Sequence, residues 1–398
     1  MPFAWSRASI VAAGVSCLAA ACSSSAPAPG SGRGGKAVAA SGRASELKTA
    51  SDRTRSGRAD APAPSSPSTD RSEPAAPPPT SNPFAFSEFV HVAGRGEVAE
   101  DDLNEWRREY EGARAPDVEF SHPYFVVADA AGHAFVADKE AHAVRRIAVD
   151  GTISTWLGTN RAGNGPDAVT SGRQVAVTLP NGLWLRDDGT LYVLDLGNGK
   201  IRRVDAAGQA STLATIPGGI DTGRGLWVAD DEKTVYFAAK SALRRWTPNG
   251  VETLADGFVS LGNLVVDRDG SLLFTDRGGN RVYRRRPTGE VVSVAGNGTT
   301  AGGGHGHAAN ESGLAGPRGL AVVGDGHYVI ATHRGRRLWG LDPQGRLALL
   351  HDGAVGAGAV VAAPGTIGVI RGLSRAPNGD LWLAHGDAGQ IHTLRRGP

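Results

Sequence analysis

Across 398 residues the chain carries 42 Lys and Arg against 40 Asp and Glu, a formal charge of +2; 9 and 5 of these lie in residues 1–83, leaving 33 against 35, a net of −2, for residues 84–398. That balance removes the electrostatic support nucleic-acid binding needs, and 56 Gly with no collagen period point to many short strands joined by tight turns. Both cysteines, Cys17 and Cys22, stand at the front of the chain, which excludes disulfides and Cys-ligated zinc or iron–sulfur centres from the remainder.

The first element is an address. "MPFAWSRASIVAAGVSCLAAACSSS" has one early cation, Arg7, and an apolar run from Ile10 to Ala21 that is short for a bilayer span. It reads as a secretory signal peptide over residues 1–21. Ala19, Ala20 and Ala21 before Cys22 resemble a bacterial lipoprotein box, with Leu18 four residues before the Cys where the pattern places it three before. The resemblance implies lipidation of Cys22 and anchorage to a membrane of the bacterial envelope, in the periplasm or at the outer membrane; plain cleavage after Ala21 leaves a soluble secreted protein. Residues 22–83 are rich in Ser, Ala, Pro, Gly and Arg and almost without large apolar side chains. The expectation is a disordered linker with a reach on the order of 40 Å.

A single short strand follows in "FVHVAGRG" (89–96), then the charged stretch "EVAEDDLNEWRREYEG". Leu103, Trp106 and Tyr110 fall on one helical face, and Asp102 with Glu105 has the spacing of a capping box, so a helical insertion is expected over about 98–112.

The strongest signal is a repeat. "LPNGLWLRDDGTLYVLDLGNGKIRRVDAAGQASTLA" and "LGNLVVDRDGSLLFTDRGGNRVYRRRPTGEVVSVA" share a strand, an Asp-Gly turn, a second strand ending in Asp, a glycine-containing loop, a third strand carrying Arg, and a fourth apolar strand. Four further copies start at His122, Gly223, Gly316 and Ile370. The second strands end at Asp138, Asp195, Ala239, Asp276, His333 and His385, a step of about 49 residues. Six four-stranded antiparallel units at this period predict an all-β, six-bladed β-propeller over residues 84–398. The sixth copy stops after its third strand. "FVHVAGRG" matches the fourth-strand segment "VVSVAGNG" (291–298), so this N-terminal strand is expected to complete the C-terminal blade and close the ring.

"VVSVAGNG" followed by "LAGPRGLAV", and the run "VADKEAHAVRRI", resemble the NHL-repeat family. The resemblance covers the whole of residues 84–398 and implies the fold; the family includes binding modules and several enzyme types. Zinc-dependent amidating lyases with this fold place several His at the position of His142. Here the matching positions hold Gly199, Asn280 and Gly389, so that triad is absent.

Two columns point at one mouth of the central channel. The second-strand column offers Asp138, Asp195, Asp276, His333 and His385, either as loop-holding hydrogen-bond partners or as ligands of a divalent metal; His333 and His385 also suit acid–base work. The column just before the first strand offers Tyr124, Asn181, Arg224, Arg318 and Arg371, and three converging guanidiniums would favour a carboxylate or phosphate. His305 and His307 in a glycine-rich loop are a further candidate pair. The expectation is a monomeric scaffold binding a protein or small-molecule ligand at the channel face, with no nucleic acid; the alternative is a lactonase-like or metal-dependent hydrolase or lyase acting on an anionic small molecule there.

Overall fold

The computed structural model describes residues 82–96, 104–353 and 368–397. The signal peptide, Cys22 and the linker up to residue 81 lie outside the described residues.

Turn chemistry sets the strands. In "DDGT" and "RDGS", Gly189 and Gly270 take φ of 81° and 77°, and the Asp188 and Asp269 carboxylates accept the N–H of Thr190 and Ser271 two residues on. Each such turn joins an inner strand to a second strand that is buried along its whole length. Strand β1 is Phe86–Ala93. Blade one is β2 (Pro123–Ala128), β3 (Ala134–Asp138), β4 (Ala143–Ile147) and β5 (Ile153–Gly158). Blade two is β6 (Thr170–Ser171), β7 (Pro180–Leu185), β8 (Leu191–Asp195), β9 (Lys200–Val204) and β10 (Gln209–Thr215). Blade three is β11 (Leu226–Val228), β12 (Val235–Ala239), β13 (Ala242–Thr247) and β14 (Gly250–Ala255). Blade four is β15 (Leu261–Val266), β16 (Leu272–Asp276), β17 (Arg281–Arg285) and β18 (Val291–Ala295). Blade five is β19 (Pro317–Gly324), β20 (His327–Thr332), β21 (Arg337–Leu341) and β22 (Leu347–Asp352). Blade six is β23 (Ile370–Arg375), β24 (Leu381–His385) and β25 (Gln390–Arg396).

Among the described residues these strands form six antiparallel sheets. The inner strands touch in the order β2, β7, β11, β15, β19, β23 and back to β2, which is a six-bladed propeller. The ring closes as the sequence predicts. β1 adds to the outside of β25, with Phe89 opposite Leu394, Val90 opposite Thr393 and His91 opposite His392. Phe86 and Ala93 are buried there. Elsewhere the core lies between neighbouring blades, for example Val127 and Phe135 of blade one against Leu183 and Val193 of blade two. Each such side chain contributes about 1.5–3 kcal/mol when fully buried.

The helical insertion is corrected. From Asn104 to Arg107 the described chain has no helix, and one 3-10 turn, Arg108–Tyr110, follows; residues 97–103, with Asp102 and Leu103, lie outside the described residues. Side chains and blade one satisfy the backbone instead. Trp106 N–H donates to Asn104 Oδ1 at 3.0 Å and Glu105 N–H to Ser121 Oγ at 2.7 Å. Gly112 N–H then bonds Ile153 O, and Arg114 bridges Thr152, so the segment runs along the outer strand of blade one. The apolar spacing has a different use: Trp106 packs edge-on to Tyr110 and lies under the Arg145 guanidinium, 3.6 Å from Cζ.

Candidate functional site: a cationic channel mouth

Close packing of the inner strands draws the mouth together. A Cβ on Gly182 would stand 2.1 Å from Arg224 O, and one on Gly372 would stand 2.7 Å from Tyr124 O. No larger residue allows that approach without moving backbone, so glycine at these two positions holds Tyr124 and Arg224 close to the axis.

Tyr124, at the start of β2, is the centre of the group. Around its ring centroid stand Arg224 Cζ at 4.9 Å, Arg371 Cζ at 5.1 Å, Arg318 Cζ at 5.9 Å and Lys139 Nζ at 4.7 Å. The ring's negative π faces offset part of the cost of gathering these charges. Arg371 Nε donates to Asp387 Oδ1 at 2.9 Å, and Lys139 Nζ to Glu140 Oε1 at 2.5 Å. Arg318, 1% exposed, donates from Nη1 to the His333 ring, 3.3 Å from Nε2, which leaves Nδ1–H to face Ile370 O at 3.4 Å. Two more guanidiniums join from the loops after the second strands: Arg277 and Arg334 flank Gly316, each with its Cγ 3.6 Å from where a Cβ there would stand.

The electrostatics follow from this crowding. Burial lowers Arg224 to about 9, the Tyr124 phenol opposing and the Arg371 and Arg277 charges adding to the fall. Arg277 is lowered by burial and then by Arg334 and Arg371. His333 falls to about 4, first through burial and then through Arg371, with its bond to Ile370 O opposing. At neutral pH it is an uncharged partner among cations. The Nε atoms of Arg224, Arg277 and Arg318 are buried without a hydrogen-bond partner.

The second-strand carboxylates are spent on loops. Asp138 takes Ser121 N–H and Arg145. Asp195 takes Thr178 N–H, Asn198 and Arg202. Asp276 takes the N–H groups of Val259, Ser260 and Gly279. Asn181 likewise faces the backbone, donating to Gly223 O at 2.8 Å. His333 and His385 do not meet. His385, 1% exposed, packs instead with His392 (ring centroids 4.5 Å apart) and with Phe89, 6.0 Å away. Phe89 stacks on His392 at 4.6 Å and also approaches His351, while His91 lies 5.2 Å from His392. These four imidazoles occupy the seam where β1 meets blades five and six. Among the described residues no group of three or more His, Cys, Asp and Glu is placed to hold a metal ion. His305 Nδ1 accepts from Leu349 N–H, which ties its loop to β22.

His142 has a turn role. It takes φ of 51°, as Asn280 and Gly199 take 53° and 60° at matching positions, and its Nδ1 accepts Leu179 N–H just as Asn280 Oδ1 accepts Gly316 N–H. The sequence columns pick out the inner arginines but pass over Lys139, Arg277 and Arg334. The signal is one residue further on: the residues following the second-strand column are Lys139, Leu196, Lys240, Arg277, Arg334 and Gly386.

Below this level the channel changes character. A cavity of about 1010 Å³ is lined by Val127, Leu185, Val266 and Val322 and, nearer the strand starts, by Phe125, Leu226, Asn263, Leu320 and Leu373. Asn263 links three inner strands there, its Nδ2 donating to Leu320 O at 2.9 Å and Leu373 O at 3.3 Å.

No family model and no curated protein sequence matches the chain. Solved structures do. A protein of unknown function from Bacteroides thetaiotaomicron matches with a TM-score of 0.60 at 16% identity, over 77% of this chain and 74% of its own. Auxiliary nutrient binding proteins from Bacteroides thetaiotaomicron and Bacteroides ovatus match with TM-scores of 0.56 at 11% and 12% identity, over 77% of this chain and 75% and 76% of theirs. At these identities the likeness is one of fold, and it agrees with the six-bladed ring.

Proposed function

We propose that the chain is an NHL-like propeller that captures an anionic ligand at the channel mouth, without catalysis, on the outside of a bacterial inner membrane and tethered through Cys22. The observation that supports capture is the set of four cations within 4.7–5.9 Å of the Tyr124 ring. Guanidiniums present paired donors that suit carboxylate and phosphate oxygens, and a concave site with few, convergent polar groups suits a small molecule. The description of two solved neighbours as nutrient binding proteins is consistent with this reading.

The hydrolase or lyase alternative has less support. The column carboxylates are committed to loop amides and to arginines, and His333, lowered to about 4 and bonded to Arg318, is a weak base at neutral pH. Calorimetric titration of the purified propeller with small carboxylates and phosphates, alongside neutral and cationic compounds of the same size, tests capture. Binding confined to the anions, and weakened at least about tenfold in Arg224→Gln, is the expected result; equal binding by the variant sinks the proposal.

A further inference from the structure

Among the described residues, the mouth holds more positive charge than its ion pairs compensate. Of its six cations, Lys139 is paired with Glu140 and Arg371 with Asp387. Among the described residues no carboxylate lies within ion-pair distance of Arg224 or Arg318, although both stand against Tyr124. Arg277 and Arg334 are in the same position: Arg277 reaches only Ser260 Oγ, at 3.2 Å. Like charges gathered in this way repel one another; Arg334 is exposed to water, but the other three each carry a buried Nε with no partner. An arrangement of that kind is costly to fold unless something supplies the missing negative charge.

Resting on the anion-capture reading, we infer that the ligand is a compact polyanion, carrying at least two adjacent negative charges on oxygen, as in a phosphate monoester, a pyrophosphate or a tricarboxylate. A monoanion would leave three of the four free cations unmatched. The inner cations all lie within 6 Å of one ring centroid, so a compact ligand can reach more than one of them. The cations form two tiers. Arg224, Arg318 and Arg371 rise from the inner strands, and Arg277 and Arg334 come from the loops above, so a ligand can be gripped from two levels. A polymeric polyanion is disfavoured, since residues 84–398 are net −2 and the positive charge is concentrated at the mouth.

The test is a charge ladder read by calorimetry at fixed ionic strength and pH 7.5. One series is butyrate, succinate and tricarballylate; the other is dimethyl phosphate, methyl phosphate and pyrophosphate. Affinity is expected to climb about tenfold per added charge in at least one series, and the series that climbs identifies the oxyanion. The double variant Arg277→Gln/Arg334→Gln, altered only in loop side chains, should lower affinity most for the most highly charged member of that series and so flatten the climb. Equal affinity along both ladders overturns the polyanion inference and leaves anion capture standing. No binding of any anion overturns both. The wild-type ladders decide the matter whether or not the variant folds.

Discussion

Two gatherings of basic side chains, the channel mouth and the β1 seam, have opposite physics. At the mouth, arginines keep their charge because a guanidinium stays protonated even when burial lowers it to about 9, as at Arg224. At the seam, His91, His351, His385 and His392 pack against Phe89. Burial and the neighbouring histidines drive His385 well below the usual imidazole value, and burial followed by His91 takes His392 to about 4. These rings give up their charge and act as aromatic packing. Position alone does not make a titratable group functional: His385 occupies the same strand end as Asp276 and is sealed into a joint, while its neighbour in the column, His333, opens on the mouth.

The sharpest way to break this comparison is to remove the seam altogether. Deleting residues 84–96 takes away β1, with Phe86, Phe89 and Ala93, and exposes the edge of β25. The expected loss is on the order of 5 kcal/mol or more, read as collapse of the cooperative thermal transition, although no complete blade is removed.

Acid should loosen the same joint more gently. A histidine neutral in the folded state and free to protonate when unfolded contributes stability that is complete above its unfolded value of 6.5 and is lost as pH falls toward the folded value. For His392, with a folded value of about 4, the loss between those limits is roughly 3 kcal/mol. His385 extends the decline to lower pH. Denaturant midpoints measured from pH 7.5 to pH 4 should fall steadily, and His392→Phe should flatten the slope; an unchanged slope in that variant would assign the acid sensitivity elsewhere.

The mouth predicts the reverse sign. Arg277→Gln removes a repelled charge, so the ligand-free protein should gain about 0.5 kcal/mol, seen as a small rise in Tm, while anion affinity drops. A destabilised variant would mean that the mouth arginines are balanced internally. The smallest effect is expected at His305→Ala/His307→Ala, within about 0.5 kcal/mol of the parent, because His305 only accepts one backbone N–H at an exposed loop.

The sequence carries the propeller clearly, for physical reasons. Asp-Gly turns at 188–189 and 269–270 fix hairpins locally, and the match of "FVHVAGRG" to "VVSVAGNG" reflects a shared outer-strand pattern, so ring closure is legible in the sequence. The segment around Trp106 is not readable that way. Its apolar spacing of three and four residues fits a helix, yet the same spacing serves an extended chain once Arg145 and blade one supply partners. The inner arginines are legible because a first-strand column aims at the axis. Arg277 and Arg334 are hidden because they sit one residue past the strand ends, on loops that meet at Gly316 only once blades four and five are packed together. The seam is hidden for another reason: residues 91, 351, 385 and 392 meet only when the β1–β25 register is known.

Asn263 acts as a spacer beneath the arginines. Its single amide joins β15 to the carbonyls of Leu320 in β19 and Leu373 in β23. Arg318 and Arg371 stand two residues before those carbonyls on the same strands, so one side chain sets the gap between two of the mouth's cations. A ligand that needs a different gap has to strain three blades at once.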